Sequence, residues 1–318
     1  MTYEEFMDEF QKHLSQELEH ADIERLQLQK INGKRDVLAI REGDCNTVPI
    51  IYMDDQYEKY MQGDSVEDLA RQVADNYTEC MREEKIDDTF VPEPTYQDAQ
   101  KNLYCAVING EMNKELLKTV PHERIEDLAI IPRMKVGDIG SYLVTTEICG
   151  MVGMTEKEIL QTAKANTAKE KFVCRDLTEV VCGIMKSRHM PQNYIDETRY
   201  MGQTSSPIYM LTNEAAYDGA AILTSPEAME QVRERIGEDF YIIPSSRHEV
   251  LALPISEAPD IGYLKSVVDG VNKEVSSKLD VLSNEVYRYD SLTRKISIAD
   301  KMVNTLGKTE KKTKGKGR

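Results

Sequence analysis

A chain of 318 residues with a net charge of −16, 40% apolar residues and no tryptophan has room for about two domains, or three if they are small. The acidic balance disfavours binding of the body to nucleic acid or to an anionic membrane, where affinity comes from cations that displace counterions. No apolar run approaches the roughly 18 residues of a membrane helix, and the acidic opening MTYEEFMDEF is unlike a signal peptide, so a cytoplasmic protein without a membrane partner is expected.

Charge is unevenly spread. The final stretch KTEKKTKGKGR holds six basic residues and one Glu, so the rest of the chain carries −21 against −16 overall. The six cysteines, at 45, 80, 105, 149, 174 and 182, form no CxxC pair and fit buried thiols in a reducing compartment. The 16 tyrosines suit half-buried positions where the ring packs and the hydroxyl stays polar.

Thr2 and Glu5 have capping-box spacing, and Phe6, Met7, Phe10, Leu14 and Leu18 follow at helical spacing. Leu26 and Leu28 alternate with polar residues before Asn32-Gly33, a hairpin signal because both residues tolerate positive φ. Val48–Tyr52 reads as a third strand. A helix capped by Ser65 carries Val66, Leu69, Val73, Tyr77 and Met81 on one face. These elements make an N-terminal α+β unit over 1–86, and the charged DDTFVPEPT, residues 87–95, reads as a linker.

A middle α+β unit is expected over 96–186. It has strands at Leu103–Ile108, Leu128–Val136 and Tyr142–Ile148, a short helix at Asn113–Lys118, a helix capped by Thr155, and another over 176–186. The polar stretch 187–206 marks a second boundary. A C-terminal α+β unit over 207–300 follows, with strands at Ile208–Leu211 and Ala220–Thr224 and a helix from Ser225-Pro226 to Gly237. The stretch FYIIPSSRHEVLALP, 240–254, reads as two strands around a polar loop. Leu264 to Leu279 form an amphipathic stripe and 286–299 a terminal hairpin. Residues 301–318 form a basic tail expected to be disordered. Frequent hairpin signals without strict βαβ alternation predict an α+β protein of two or three small units with mostly antiparallel sheets and flanking helices.

The stretches VPIIYMDDQYEKYMQGDSVEDLARQV, ILQTAKANT, GAAILTSPEAMEQV, DFYIIPSSRHEVLALP and VLSNEVYRYD resemble an uncharacterised family of clostridial proteins, itself similar to the YtpQ-like proteins of bacilli. The resemblance spans roughly residues 25–300. It implies a bacterial cytosolic protein, sometimes encoded beside mobile-element genes, and implies no activity.

Tyr52-Met53-Asp54-Asp55 spells the YMDD of reverse transcriptases, but QYEKYMQGD follows where that motif needs an apolar strand, and only 51 residues precede it. What remains is Asp54, Asp55 and Glu58 as a candidate oxygen cluster for a divalent cation, set against a strand end that runs into an exposed helix. His248-Glu249 opens like the zinc motif HExxH, yet Ala252 stands where the second His belongs. Gly137, Gly140, Gly150 and Gly153 match neither G-x-G-x-x-G nor the P-loop. No cofactor is expected.

Ser245, Ser246, His248 and Glu249 hold the residue types of a hydrolase and are the candidate catalytic set, without a G-x-S-x-G elbow. Set against that, turn serines and histidines ordinarily bond their own backbone. Asn213, Glu214, Tyr217 and Asp218 face this loop if their strands are neighbours, which makes Asn213, Tyr217 and Arg247 candidate binding residues. Because no metal, nucleotide or nucleophile motif survives, the leading expectation is a non-enzymatic cytosolic binding or accessory protein, its acidic body suited to a basic protein partner. The alternatives are a hydrolase centred on the Ser245–His248 loop, and an acidic nucleic-acid mimic or a nucleic-acid binder acting through the tail.

Overall fold

A computed structural model describes residues 1–43, 48–82, 94–137, 140–274 and 278–300. The chain divides into two compact units, Met1–Glu93 and Pro94–Arg318. The fold is α+β, and all strand pairs among the described residues are antiparallel.

In the first unit, α1 (Tyr3–Glu17) starts on a complete capping box. The Thr2 hydroxyl accepts the Glu5 N–H and the Glu5 carboxylate accepts the Thr2 N–H. Its apolar stripe buries Phe6, Met7, Phe10 and Leu14. Strands β1 (Asp22–Lys30) and β2 (Gly33–Arg41) form the hairpin expected at Asn32-Gly33, with Asn32 at φ +63°. β3 (Ile50–Tyr52) pairs with β2 on its other edge. α2 (Met53–Met61) and α3 (Val66–Arg82) follow. Phe6, Phe10, Leu38, Ile40, Met53 and Leu69 meet in one core.

The second unit opens with α4 (Tyr96–Asn102) and β4 (Leu103–Asn109). Next come β5 (Glu123–Ile125), β6 (Leu128–Val136) and β7 (Gly140–Leu143). β4 pairs along β6, while β5 and β7 pair with opposite ends of β6. Helices α5 (Thr146–Met151) and α6 (Glu156–Thr167) lead to β8 (Phe172–Asp176), then α7 (Leu177–Ser187) and α8 (Gln192–Gln203). The rest is β9 (Tyr209–Asn213), α9 (Pro226–Ile236), β10 (Phe240–Pro244), β11 (Val250–Pro254), α10 (Ile261–Glu274), β12 (Tyr287–Asp290) and β13 (Lys295–Ile298). These last strands and β8 make one sheet of order β13-β12-β10-β11-β9-β8.

The boundary expected at 187–206 does not separate two units. β8, on one side of it, pairs with β9 on the other, and Leu128 and Ile130 share a core with Leu211, Phe240 and Tyr287. The stretch itself contains α8, whose Ile195 is buried and whose Gly202 lies so close to Thr178 of α7 that a Cβ would sit 2.2 Å from its hydroxyl. Its polarity is that of a helix with its other faces in water. Two expected strands also differ. Ala220–Thr224 belongs to a 3-10 turn, Gly219–Thr224, whose apolar residues are buried without pairing. In Tyr142–Ile148 pairing ends at Leu143, because Thr145 caps α5. The tail at 301–318 lies outside the described residues.

Candidate functional site

β9 and β11 are neighbours, so the loops that leave them come together. The turn after β9 is tight, with Ala216 and Asp218 in left-handed conformation at φ +50° and +51°. Asn213 holds it closed: its side-chain carbonyl accepts the Tyr217 N–H at 3.2 Å and its amide donates to the Tyr217 carbonyl at 2.9 Å. Gly219 then passes directly over the 245–249 loop, where a Cβ would lie 2.3 Å from the His248 carbonyl. That carbonyl accepts the Thr212 hydroxyl at 2.8 Å, and the Arg247 carbonyl accepts the Ala220 N–H at 3.1 Å.

The close approach assembles an ion network. Asp218 is 1% exposed and lies between two guanidinium groups. Arg133 Nε is 3.4 Å from its Oδ2, and Arg247 Nη1 is 3.2 Å from its Oδ1. The second contact is an ion pair without hydrogen-bond alignment, which leaves Oδ1 without an aligned donor. The Tyr104 hydroxyl donates to Oδ2 at 3.0 Å and receives Arg133 Nε at 3.0 Å, while Ser141 receives Arg133 Nη2 at 2.8 Å. Burial, reinforced by the Asp218 charge, pushes the Tyr104 phenol well above its ordinary pKa, so it stays a hydroxyl. Arg247 also donates Nε to Asp280 at 3.0 Å, and its guanidinium sits 5.3 Å from the centre of the Tyr217 ring. Burial works against its charge, but Asp218 and its other partners outweigh it and raise its pKa.

His248 is held at both ring nitrogens. Nδ1 accepts the Asp218 N–H at 3.1 Å, which fixes the proton on Nε2, 3.3 Å from Asp280 Oδ1. The serine hydroxyls are occupied elsewhere: Ser245 donates to Glu249 at 3.0 Å, and Ser246 accepts the His248 N–H at 3.0 Å. Neither serine is hydrogen-bonded to the His248 ring, so the hydrolase geometry is not assembled here. The loop instead uses these residues to bond itself, as ordinary turn chemistry does.

Beside the network lies a cleft of about 460 Å³. Its lining includes Tyr104, which is buried and gives its hydroxyl to the network, and the exposed Tyr217, whose hydroxyl lies 3.4 Å from an Arg247 nitrogen. Two ion pairs stand in it. Lys135 donates to Glu170 at 2.9 Å and lies 5.0 Å from the centre of the Tyr104 ring, and Lys171 pairs with Glu214. The Asn213 amide is 3.4 Å from the other Glu170 oxygen. The arrangement offers two cations, two anions and the exposed Tyr217 side chain to a bound molecule.

The Asp54, Asp55 and Glu58 cluster lies in the first unit, at the start of α2. Arg35 from β2 bonds both aspartates, with Nε 2.8 Å from Asp54, and stacks 3.9 Å from the centre of the Tyr52 ring. The two carboxylates thus converge on an arginine, and Glu58 is exposed a turn further on. Among the described residues no group of three or more His, Cys, Asp or Glu is arranged to hold a metal ion.

Sequence reasoning passed over Tyr104, Arg133, Lys135, Glu170 and Asp280. Arg133 left a signal, as a charge that directly follows the apolar LAIIP and precedes Met134 on the same strand. A charge on a buried strand needs a buried partner. Asp280 left none, since it reaches the site from a 3-10 turn far along the chain.

The fold and this site define an α+β protein that carries a polar cleft over a buried arginine–aspartate network. The chain belongs to DUF5688, a family of unknown function, whose model matches residues 3–291. No curated protein and no solved structure matches it. Among the described residues no helix is long and apolar enough to cross a membrane.

Proposed function

We propose that this chain is a non-enzymatic cytosolic binding protein that recognises its ligand in the cleft bounded by Tyr104 and Tyr217. The observation that carries the reading is the division of labour at the site. The serines at 245–249 are consumed in bonds within their own loop, and the His248 ring ties that loop to Asp218. The groups left at the cleft are ones that bind: the exposed Tyr217 side chain and two pairs of charges. A concave site of this size with a few convergent polar groups is the usual form of a small-ligand site. The −21 charge outside the final stretch would speed encounter with a basic protein partner. Kinship with the clostridial and YtpQ-like proteins, and a place beside mobile-element genes, belong to the same proposal and rest on the stretches quoted above.

The test is affinity capture from bacterial lysate at low salt, with retained proteins and metabolites identified by mass spectrometry. Wild type is compared with Tyr217→Ala, a change at a side chain that is 44% exposed. A species retained by wild type and lost from a variant with unchanged melting temperature supports the reading. Identical sets retained by both chains would overturn it.

A further inference from the structure

We infer that the cleft takes a small zwitterion, with an ammonium group at one end, a carboxylate at the other and an apolar body between, as in a free amino acid or a short peptide. The inference rests on the reading of the cleft as a binding site and adds the class of ligand.

The charges of the cleft are balanced in pairs, Lys135 with Glu170 and Lys171 with Glu214. A ligand carrying only negative charge would draw the lysines away and leave carboxylates behind. Glu170 is the one that could least be abandoned, because its side chain is 22% exposed and it also faces the Asn213 amide. A ligand carrying only positive charge would strand the lysines in the same way. A zwitterion can enter between the members of the pairs and leave every charge with an opposite neighbour. Its carboxylate meets the lysines and its ammonium meets Glu170 and Glu214.

The walls fit the body of such a molecule. Tyr104 lines the cleft but is only 5% exposed, so the ring open to an apolar body is that of Tyr217, which is 44% exposed. The Tyr217 hydroxyl lies 3.4 Å from an Arg247 nitrogen. Arg247 and His248 pack against the Tyr217 ring and fix its position, so little order would be lost when an apolar side chain is laid against it.

The experiment is calorimetric titration of the full chain with the dipeptide leucyl-phenylalanine, its N-acetylated form, its C-terminal amide, and free phenylalanine. Saturable binding of at least one zwitterion is expected, with a loss of about tenfold or more when either charge is blocked, the scale of one charged hydrogen bond. Lys135→Met and Glu170→Gln should each weaken binding comparably. Lys171→Met, at a side chain 75% exposed, should weaken it without a change in melting temperature, which guards against misfolding of the other two. Binding of phenylalanine as tight as that of the dipeptide assigns a free amino acid, and binding of the dipeptide alone assigns a peptide. No saturable heat from either zwitterion, or blocked forms that bind equally well, would overturn the inference. If the zwitterions fail while lysate capture still depends on Tyr217, the ligand class falls and the binding reading stands. If capture is also indifferent to Tyr217, both fall.

Discussion

Two arginine–aspartate clusters in this chain invert each other. In the first unit a single cation, Arg35, serves Asp54 and Asp55, whose side chains are 45% and 57% exposed. In the second, a single anion, Asp218, serves Arg133 and Arg247 and is 1% exposed. The outer carboxylates have water and salt as alternative partners, though Arg35 itself is only 13% exposed, so each carboxylate adds little beyond fixing the start of α2 on β2. The inner cluster has no such alternative. Its buried charges are offset by one another, and the loops that carry them are bound to the arrangement.

The sharpest break of this comparison is Asp218→Asn. Asparagine keeps the shape and tolerates the left-handed backbone at φ +51°, so the change isolates the charge. Arg133 would then lie buried without a carboxylate, and Arg247 would keep only Asp280. The expected loss is about 3–5 kcal/mol of unfolding free energy, read from urea titration. A loss below about 1 kcal/mol would show that water reaches the guanidinium groups and that the inner cluster behaves like the outer one.

Gly219→Ala comes next. Its Cβ would meet the Thr212 hydroxyl at 2.2 Å, the His248 carbonyl at 2.3 Å and the Asn213 nitrogen at 2.9 Å, and two of these three are backbone. Overpacking of this kind costs about 1–3 kcal/mol. It should also loosen the Asp218 N–H contact to His248, seen as faster hydrogen exchange at that amide. Wild-type stability and exchange would mean that the loops separate readily and that the inner cluster does not depend on their close approach.

How much of this was legible in the sequence depends on whether the determining contact is local. The capping box at Thr2, the helix cap at Thr155, the Asn32-Gly33 turn and the start of α9 at Ser225-Pro226 are written in neighbouring residues, and the structure forms them where they were read. The pairing of β10 with β11 around the polar loop was readable for the same reason. GAAILT, at 219–224, was not. A short apolar run suits a buried strand and a buried 3-10 turn equally, and only the approach of Gly219 to His248 decides between them. At the site the sequence pointed to the 213–218 and 245–249 loops but gave their residues the wrong emphasis. The role of His248 follows from Asp218 and Asp280, and the cleft depends on Tyr104 and Lys135 from strands far earlier in the chain.

At the outer cluster, Asp55→Asn should cost no more than about 1 kcal/mol, and the difference from wild type should vanish at high salt. Arg35 retains Asp54 and its stacking on Tyr52, which limits the loss further. Urea titrations at two salt concentrations check both statements. A salt-independent loss as large as that of Asp218→Asn would erase the distinction between exposed and buried charge.

The smallest effect concerns carboxylates whose partners are the threonines of their own helix caps. Glu5, Asp98 and Glu158 each close a capping box. Bonds from the Thr2 and Thr155 backbone N–H groups hold Glu5 and Glu158 below the ordinary value of 4.5. At Asp98 the Thr95 side chain acts first, followed by its N–H, and the carboxyl is held below 3.8. Because the folded pKa is the lower one, the unfolded chain takes up protons first as pH falls. The stabilisation is therefore fully present above the unfolded pKa, and it fades as pH drops through the ordinary carboxylate range toward the folded value. Glu158→Gln keeps an acceptor for the Thr155 N–H and removes the titration. It should unfold almost like wild type at neutral pH and lose less stability than wild type on acidification. Unlike Asp55→Asn, it should behave the same at low and high salt, since the hydrogen bond is fixed within one helical turn and has no distant counter-charge to screen. An acid response identical to wild type would mean that the Glu158 carboxylate is not held by the cap.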